Sequence, residues 1–165
     1  VVHVVALGSY LKAEKQKNYR KGLDSIIKLK SEVIGFKTMS YSDVMKLPED
    51  DMNSYRETYT EIQKIAKEEI KKIKSKYPPV DVSDFVDHID YIKDKIGIDH
   101  VGISSDFDGG GGIDGWEDAS ETFNVTLELV KRGYSEEEIA KIWSGNLLRV
   151  LDKNQEIAIQ LQNTD

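Results

Sequence analysis

The stretch HVGISSDFDGGGGIDGWEDAS, from His100 to Ser120, limits what this chain can fold into more than any other part of it. It opens as a short β-leaning run, breaks at two carboxylates, Asp106 and Asp108, and passes into four consecutive glycines, Gly109 to Gly112. Such a run lets the backbone take positive φ or pass close to a ligand. Just before it, Asp81 to Lys95 has helical spacing, with Val82, Phe85, Val86, Ile89 and Ile92 on one face. Asp81 or Ser83 caps this helix and Gly97 ends it. Far upstream, VVHVVAL (Val1 to Leu7) is apolar enough to be buried on both faces, as strands of parallel sheets are. Strand, long excursion, helix, strand, loop, helix is the alternation of a parallel α/β fold. Functional groups in such folds gather at the carboxyl ends of strands, so Asp106 is expected at an active-site mouth.

The remaining segments read as helices. Residues 13–33 form one amphipathic helix with a solvated lysine-rich face and Leu23, Ile26 and Ile27 inward; Gly35 interrupts it. Tyr41 to Lys46 is a short turn of helix capped by Ser40 or Ser42. From Pro48 to Lys76, apolar residues recur every three or four positions, which predicts one long helix stopped by Pro78 and Pro79. After the glycines, Ser120 to Arg132 is expected to be helical with Phe123, Leu127 and Val130 inward and Gly133 as its C′ residue. Ser135 and Glu138 spell a capping box, with Tyr134 and Ile139 as its hydrophobic staple. That helix is expected to end near Ser144-Gly145-Asn146, LLRVL to form a further helical segment, and the polar tail, residues 154–165, to fray.

A net charge of −7 argues against nucleic acid or an anionic membrane as partner. The chain has no cysteine, which excludes disulfides, thiolate metal sites and a cysteine nucleophile. No apolar run is long enough to span a bilayer. The compartment is left open. A chain that starts without methionine, inside an apolar strand, reads as a piece of a longer one.

Three readings of the acidic glycine loop compete. In the first, Asp106 is the inward carboxylate, able to bind a metal, take a proton from metal-bound water or hold a substrate amine. Asp108 then stabilises the turn through an Asx bond, and Gly109 and Gly110 shape the loop. In the second, Asp106 is position one of a calcium loop, with Asp108, Asp114 and Glu117 at three, nine and twelve. Gly110, at position five, offers no ligand, and the flank VGISS is not a helix. The third is a tight βα turn with solvated acids. His3 reads as a core or ligand-lining histidine bonded to backbone, with a metal ligand as the alternative. His88 and Asp90 form an HxD pair but do not share a helix face, so they are not expected to share a metal.

DHIDYI (87–92), GIDHVGISSDFDGGGG (97–112) and ELVKRGYSEEEIAKIWSGNLLRVL (128–151) together resemble the C-terminal part of the membrane dipeptidase (renal dipeptidase) family of zinc metallopeptidases. The resemblance runs nearly continuously from Val80 to Leu151, and VVHVVALGSYLK is similar to the strand before it. Residues 13–79 look like the helical excursion that bacterial members carry between these strands. The resemblance implies that residues 1–165 are the C-terminal portion of one TIM (β/α)8 barrel, with Val1 to Leu7 as strand seven and His100 to Ser105 as strand eight. It implies hydrolysis of dipeptides by a hydroxide held between two zinc ions. Asp106 would be the catalytic aspartate, handling protons and contacting the substrate's amino end.

The family's metal ligands are an HxD pair on the first strand, a bridging glutamate and two histidines, all upstream of strand seven. His3, His88 and His100 do not fall at those positions. The implied partners are a dipeptide substrate and the remaining N-terminal barrel half, with a homo-oligomer also open. The chain alone is expected to hold no zinc pair and to be inactive. A non-catalytic scaffold paralogue stands beside the calcium loop as an alternative.

Overall fold

The structure, a computed structural model, describes residues 1–163. Residues 1–13 together with those from Val80 onward form one compact unit, and Glu14–Pro79 forms a second.

In the first unit, Val2–Val5 (β1) and Val101–Ser104 (β2) pair in parallel, Val2 opposite Val101 through Val5 opposite Ser104. A helical turn, Gly8–Leu11 (α1), follows β1. Side chains alternate across a strand, so Val4, Ala6 and Val101 enter the core while His3 and Gly102 share the opposite face. Burial on both faces, expected for β1, does not occur. His3, on the face opposite Val4, is exposed, and Val2, at the start of the strand, is 49% exposed.

The second unit is helical: Ala13–Val33 (α2), Tyr41–Val44 (α3), Glu49–Ile65 (α4) and Lys67–Lys76 (α5). Helix α2 has the expected bounds and buries Ile27 and Ser31. Ser40, rather than Ser42, caps α3, its side chain accepting from Asp43 N. Glu49, Asp50 and Asp51 occupy the first turn of α4, where the helix dipole favours acids. The single helix expected over 48–76 is two. At Ala66 ψ turns to 6°, the bridge region, and α4 gives way to α5. The hydrogen bonds Ala66 N to Ile62 O and Ile70 N to Ala66 O, both 2.9 Å, persist across the break. The apolar period therefore runs through it unchanged, with no proline or glycine to mark it.

The first unit adds Val82–Ile96 (α6), Phe123–Lys131 (α7), Glu136–Ala140 (α8) and Asn146–Gln162 (α9). A reciprocal box starts α6: Asp84 N donates to Asp81 Oδ1 and Asp81 N to Asp84 Oδ2, each at 3.1 Å. Its stripe Val82, Phe85, Val86 and Ile89 is buried, as read, and Gly97 ends it at φ 88°.

Helix α7 differs from expectation in its buried face. Val125 and Leu129 are inside, while Phe123 and Val130 are 70% and 54% exposed and Leu127 39%. Both sets have helical spacing, so spacing alone cannot choose. The rotation is fixed by Trp116 Nε1 donating to Thr122 Oγ1 (3.2 Å) and Trp143 Nε1 to Thr126 Oγ1 (3.0 Å). The helix also starts later than read, after a 3-10 turn over Ala119–Glu121. It ends in a Schellman motif: Gly133 N bonds Val130 O, and Tyr134 N bonds Leu129 O.

The Ser135–Glu138 capping box is present, but α8 does not stop near Gly145. Lys141–Gly145 forms a π turn and the chain runs on as α9, with Gly145 in helical geometry. Asn146, 2% exposed, donates from Nδ2 to Ile98 O (2.7 Å) and Val101 O (2.9 Å), tying α9 to the foot of β2. The tail expected to fray from Asn154 is helical to Gln162. Residues 164 and 165 of that tail lie outside the described residues.

Candidate functional site

Beyond Ser104 the chain stops being a strand. Asp106 sits at φ 55°, ψ 34° and is the one non-glycine residue with positive φ among the described residues. Aspartate is one of the few side chains that tolerate this region. Its carbonyl accepts from Gly109 N (3.0 Å) and Gly111 N (2.7 Å), closing a turn over Phe107–Gly109. A Cβ on Gly109 would run into the Asp106 carboxylate, and one on Gly111 into the Ser105 carbonyl. Gly110 has φ 99°. The chain then rejoins the sheet, Gly112 N bonding Ala6 O at 2.9 Å and Gly112 pairing with Leu7. Residues 105–111 are thus an excursion at the carboxyl ends of two parallel strands, the position where α/β sheets place their ligands. Asp106 is exposed and its carboxylate makes no side-chain hydrogen bond among the described residues.

Asp108 behaves differently from the expectation. Phe107 lies in a turn, so alternation along a strand does not set the two aspartates apart. Main-chain donors to Asp106 O close the turn, and Asp108 makes no Asx bond among the described residues.

What holds the loop is an aromatic cluster that the sequence reading missed. The Phe107 ring meets Trp116 edge-on at 5.5 Å, and Trp116 meets Phe85 at 5.2 Å and Trp143 at 6.2 Å. Trp116 is 2% exposed. Edge-to-face packing of this kind fixes ring orientation, so Phe107 anchors the residue next to Asp106 in the core. The available signal was Trp116 itself, a large aromatic inside a glycine-rich, acidic stretch.

The histidines do not converge. His3 Nδ1 lies 3.1 Å from Ile103 O, the backbone bond that was expected, although its ring is exposed. A Cβ at Gly102 would fall 2.6 Å from His3 Nε2, so the ring crosses β2 over a glycine. His88 Nε2 donates to Leu11 O at 2.8 Å and ties α6 to the end of α1. His100 closes a 3-10 turn ahead of β2. Among the described residues no three His, Asp or Glu side chains group so as to hold a metal ion. The calcium-loop reading loses its geometry on that count, and its flank is a strand rather than a helix.

The acids of DHIDYI serve Arg132. Its Nη1 donates to Asp87 Oδ1 (2.9 Å) and Asp90 Oδ2 (2.7 Å), Nε to Glu128 Oε1 (2.9 Å), and Nη2 to Ser83 O and Oγ (2.8 Å each). Tyr134 OH donates to Asp90 Oδ1 at 2.5 Å. Burial opposes the Arg132 charge, yet Asp90, Glu128 and Asp87 outweigh it and raise its pKa. Burial and then Asp90 push the Tyr134 phenol upward. The Arg-Gly-Tyr segment is therefore architectural: a clamp on α6, a helix stop, and a bridge into α8.

The family model described as membrane dipeptidase (peptidase family M19) matches residues 1–165. The chain belongs to the membrane dipeptidase family. Dipeptidase ataJ of Aspergillus terreus is 47% identical over 78 residues, which are 47% of this chain and 19% of that family member. Human Dipeptidase 3 is 41% identical over 78 residues, 46% of this chain and 16% of its own. The crystal structure of the probable dipeptidase PvdM from Pseudomonas aeruginosa aligns with 90% of this chain and 36% of its own, at 33% identity and a TM-score of 0.51. The chain thus spans about a fifth of the length of the curated family members it matches.

Proposed function

We propose that this chain is the C-terminal portion of a (β/α)8 dipeptidase barrel, contributing strands seven and eight, the excursion of residues 13–79 between them, and the catalytic carboxylate Asp106. One observation carries the assignment: an aspartate in left-handed geometry, at the carboxyl end of a parallel strand, with a loop built around it and no side-chain partner among the described residues. Backbone held in a sparsely populated region clusters at functional sites. The dipeptidase relatives and the PvdM alignment support the substrate class. Helices on one face of β1 and β2 and a bare opposite face suit a barrel wall whose inner side carries His3, Gly102 and Ser104.

A carboxylate at this position has two tasks in dipeptide hydrolysis. It holds the substrate's ammonium by a charge-assisted hydrogen bond, and it takes a proton from the attacking water and returns it to the leaving amine nitrogen. In this reading a zinc pair supplies the activated hydroxide. The side chains of this chain do not fit a metal site, since no three potential ligands group among the described residues. We assign the ligands to the rest of the barrel and derive no step through the metal. The chain alone would then hydrolyse no dipeptide.

Asp106→Asn in the complete enzyme tests the assignment. Asparagine shares aspartate's tolerance of left-handed geometry, so the turn survives while the base is lost. Dipeptide turnover is expected to fall by at least about 100-fold with an unchanged melting temperature. Turnover at the parent rate would refute the role.

A further inference from the structure

The helical unit contains a cleft of about 830 Å³ for which the dipeptidase reading has no use. Residues 14–79 carry fifteen Lys and Arg against eleven Asp and Glu, while the rest of the chain carries eight against nineteen. The unit is therefore cationic within an acidic protein. Arg20 and Lys28 from α2 and Arg56 from α4 line the cleft, opposed by one lining carboxylate, Asp24. None of the three cations is in a salt bridge among the described residues. Other lysines of the same unit are paired: Lys30 with Glu69, Lys46 with Asp43, Lys64 with Glu61. Among the described residues Arg56 donates only to Met45 Sδ, at 4.0 Å, which is a poor acceptor for a guanidinium. Beside these charges stand two stacked tyrosines, Tyr55 and Tyr59, with ring centroids 6.2 Å apart and planes 19° apart. Tyr59 is half-buried, and burial followed by Asp24 pushes its phenol up. Ile27 and Val44, both buried, form an apolar floor.

We infer that this cleft binds a small organic oxyanion, a carboxylate or phosphate group carried on an aromatic ring. The guanidinium forks of Arg20 and Arg56, neither in a salt bridge among the described residues, match the paired oxygens of such a group. Stacked phenol rings and an apolar floor accept a planar, weakly polar body. The volume lies within the range of small-molecule sites, about 300–1,000 Å³. The site is independent of Asp106 and stands or falls apart from the dipeptidase assignment.

The test is calorimetric titration of the purified chain with phenyl phosphate and, separately, with inorganic phosphate. Saturable binding of phenyl phosphate is expected, tighter than that of inorganic phosphate. The double variant Arg20→Gln/Arg56→Gln is expected to weaken it at least about tenfold. Both arginines are exposed, and an unchanged circular-dichroism melt checks the fold. Lys64→Gln, which removes a paired surface charge of the same unit, is expected to leave binding as it was. Absence of saturable binding at millimolar phenyl phosphate would overturn the inference. So would equal binding by the double variant, equal affinity for inorganic phosphate, or an equal loss in Lys64→Gln.

Discussion

Arg132 places its guanidinium donors on Asp87, Asp90, Glu128 and Ser83 at once. Lysine keeps the charge but not the fork, so Arg132→Lys is expected to cost about 1–3 kcal/mol of stability, read from urea unfolding. The same cluster makes the fold acid-sensitive. Burial pushes the Asp87 carboxyl up, but Arg132 and Lys12 outweigh it and hold it below its ordinary value. A carboxylate with a depressed folded pKa stabilises above its unfolded value, about 3.9, and that contribution is lost as pH falls through the folded value. Melting temperature is therefore expected to drop below about pH 4, and Arg132→Gln to flatten that part of the profile. Ser31 tests the opposite case. It is 2% exposed, and its Oγ has no partner among the described residues. Ser31→Ala removes an unpaired hydroxyl and improves helix propensity, so thermal melting is expected to show a gain of up to about 1 kcal/mol.

Among the elements, the continuous π turn and α9 depend on Asn146. Truncation to alanine removes the buried side-chain donor that Ile98 O and Val101 O share, an expected loss of about 1–3 kcal/mol in chemical unfolding. Helix boundaries marked by caps were legible in the sequence: Asp81, Ser40, Gly97, Ser135 and Gly133 all stand where the chain turns. Caps act on backbone groups a few residues away, so local sequence contains both partners. The break at Ala66 and the passage through Gly145 were not legible. Neither changes the local apolar period in a way a sequence window resolves.

For the molecule as a whole, the unmatched sheet is the dominant feature. β1 and β2 each have one hydrogen-bonded neighbour among the described residues, and Val1 and Val2 are 41% and 49% exposed. Unpaired strand edges template pairing with other chains. The isolated chain is expected to self-associate through these edges. Sedimentation velocity checks this, and a monodisperse monomer at micromolar concentration would contradict it. Among the described residues no helix is long and apolar enough to cross a membrane.

The sequence alone determined the parallel strand pair, the helical excursion, most of the caps and the singular position of Asp106. Each of these follows from periodicity, glycine and proline placement, or a short motif. Tertiary structure decided what required comparing surfaces far apart in the chain. It chose Val125 and Leu129 over Phe123 and Leu127, because Trp116 and Trp143 fix the rotation of α7. It turned the Arg-Gly-Tyr segment and the acids of DHIDYI into one clamp across more than forty residues. It returned the glycine loop to the sheet, Gly112 N bonding Ala6 O across more than a hundred residues, which sets Asp106 at the ends of both strands.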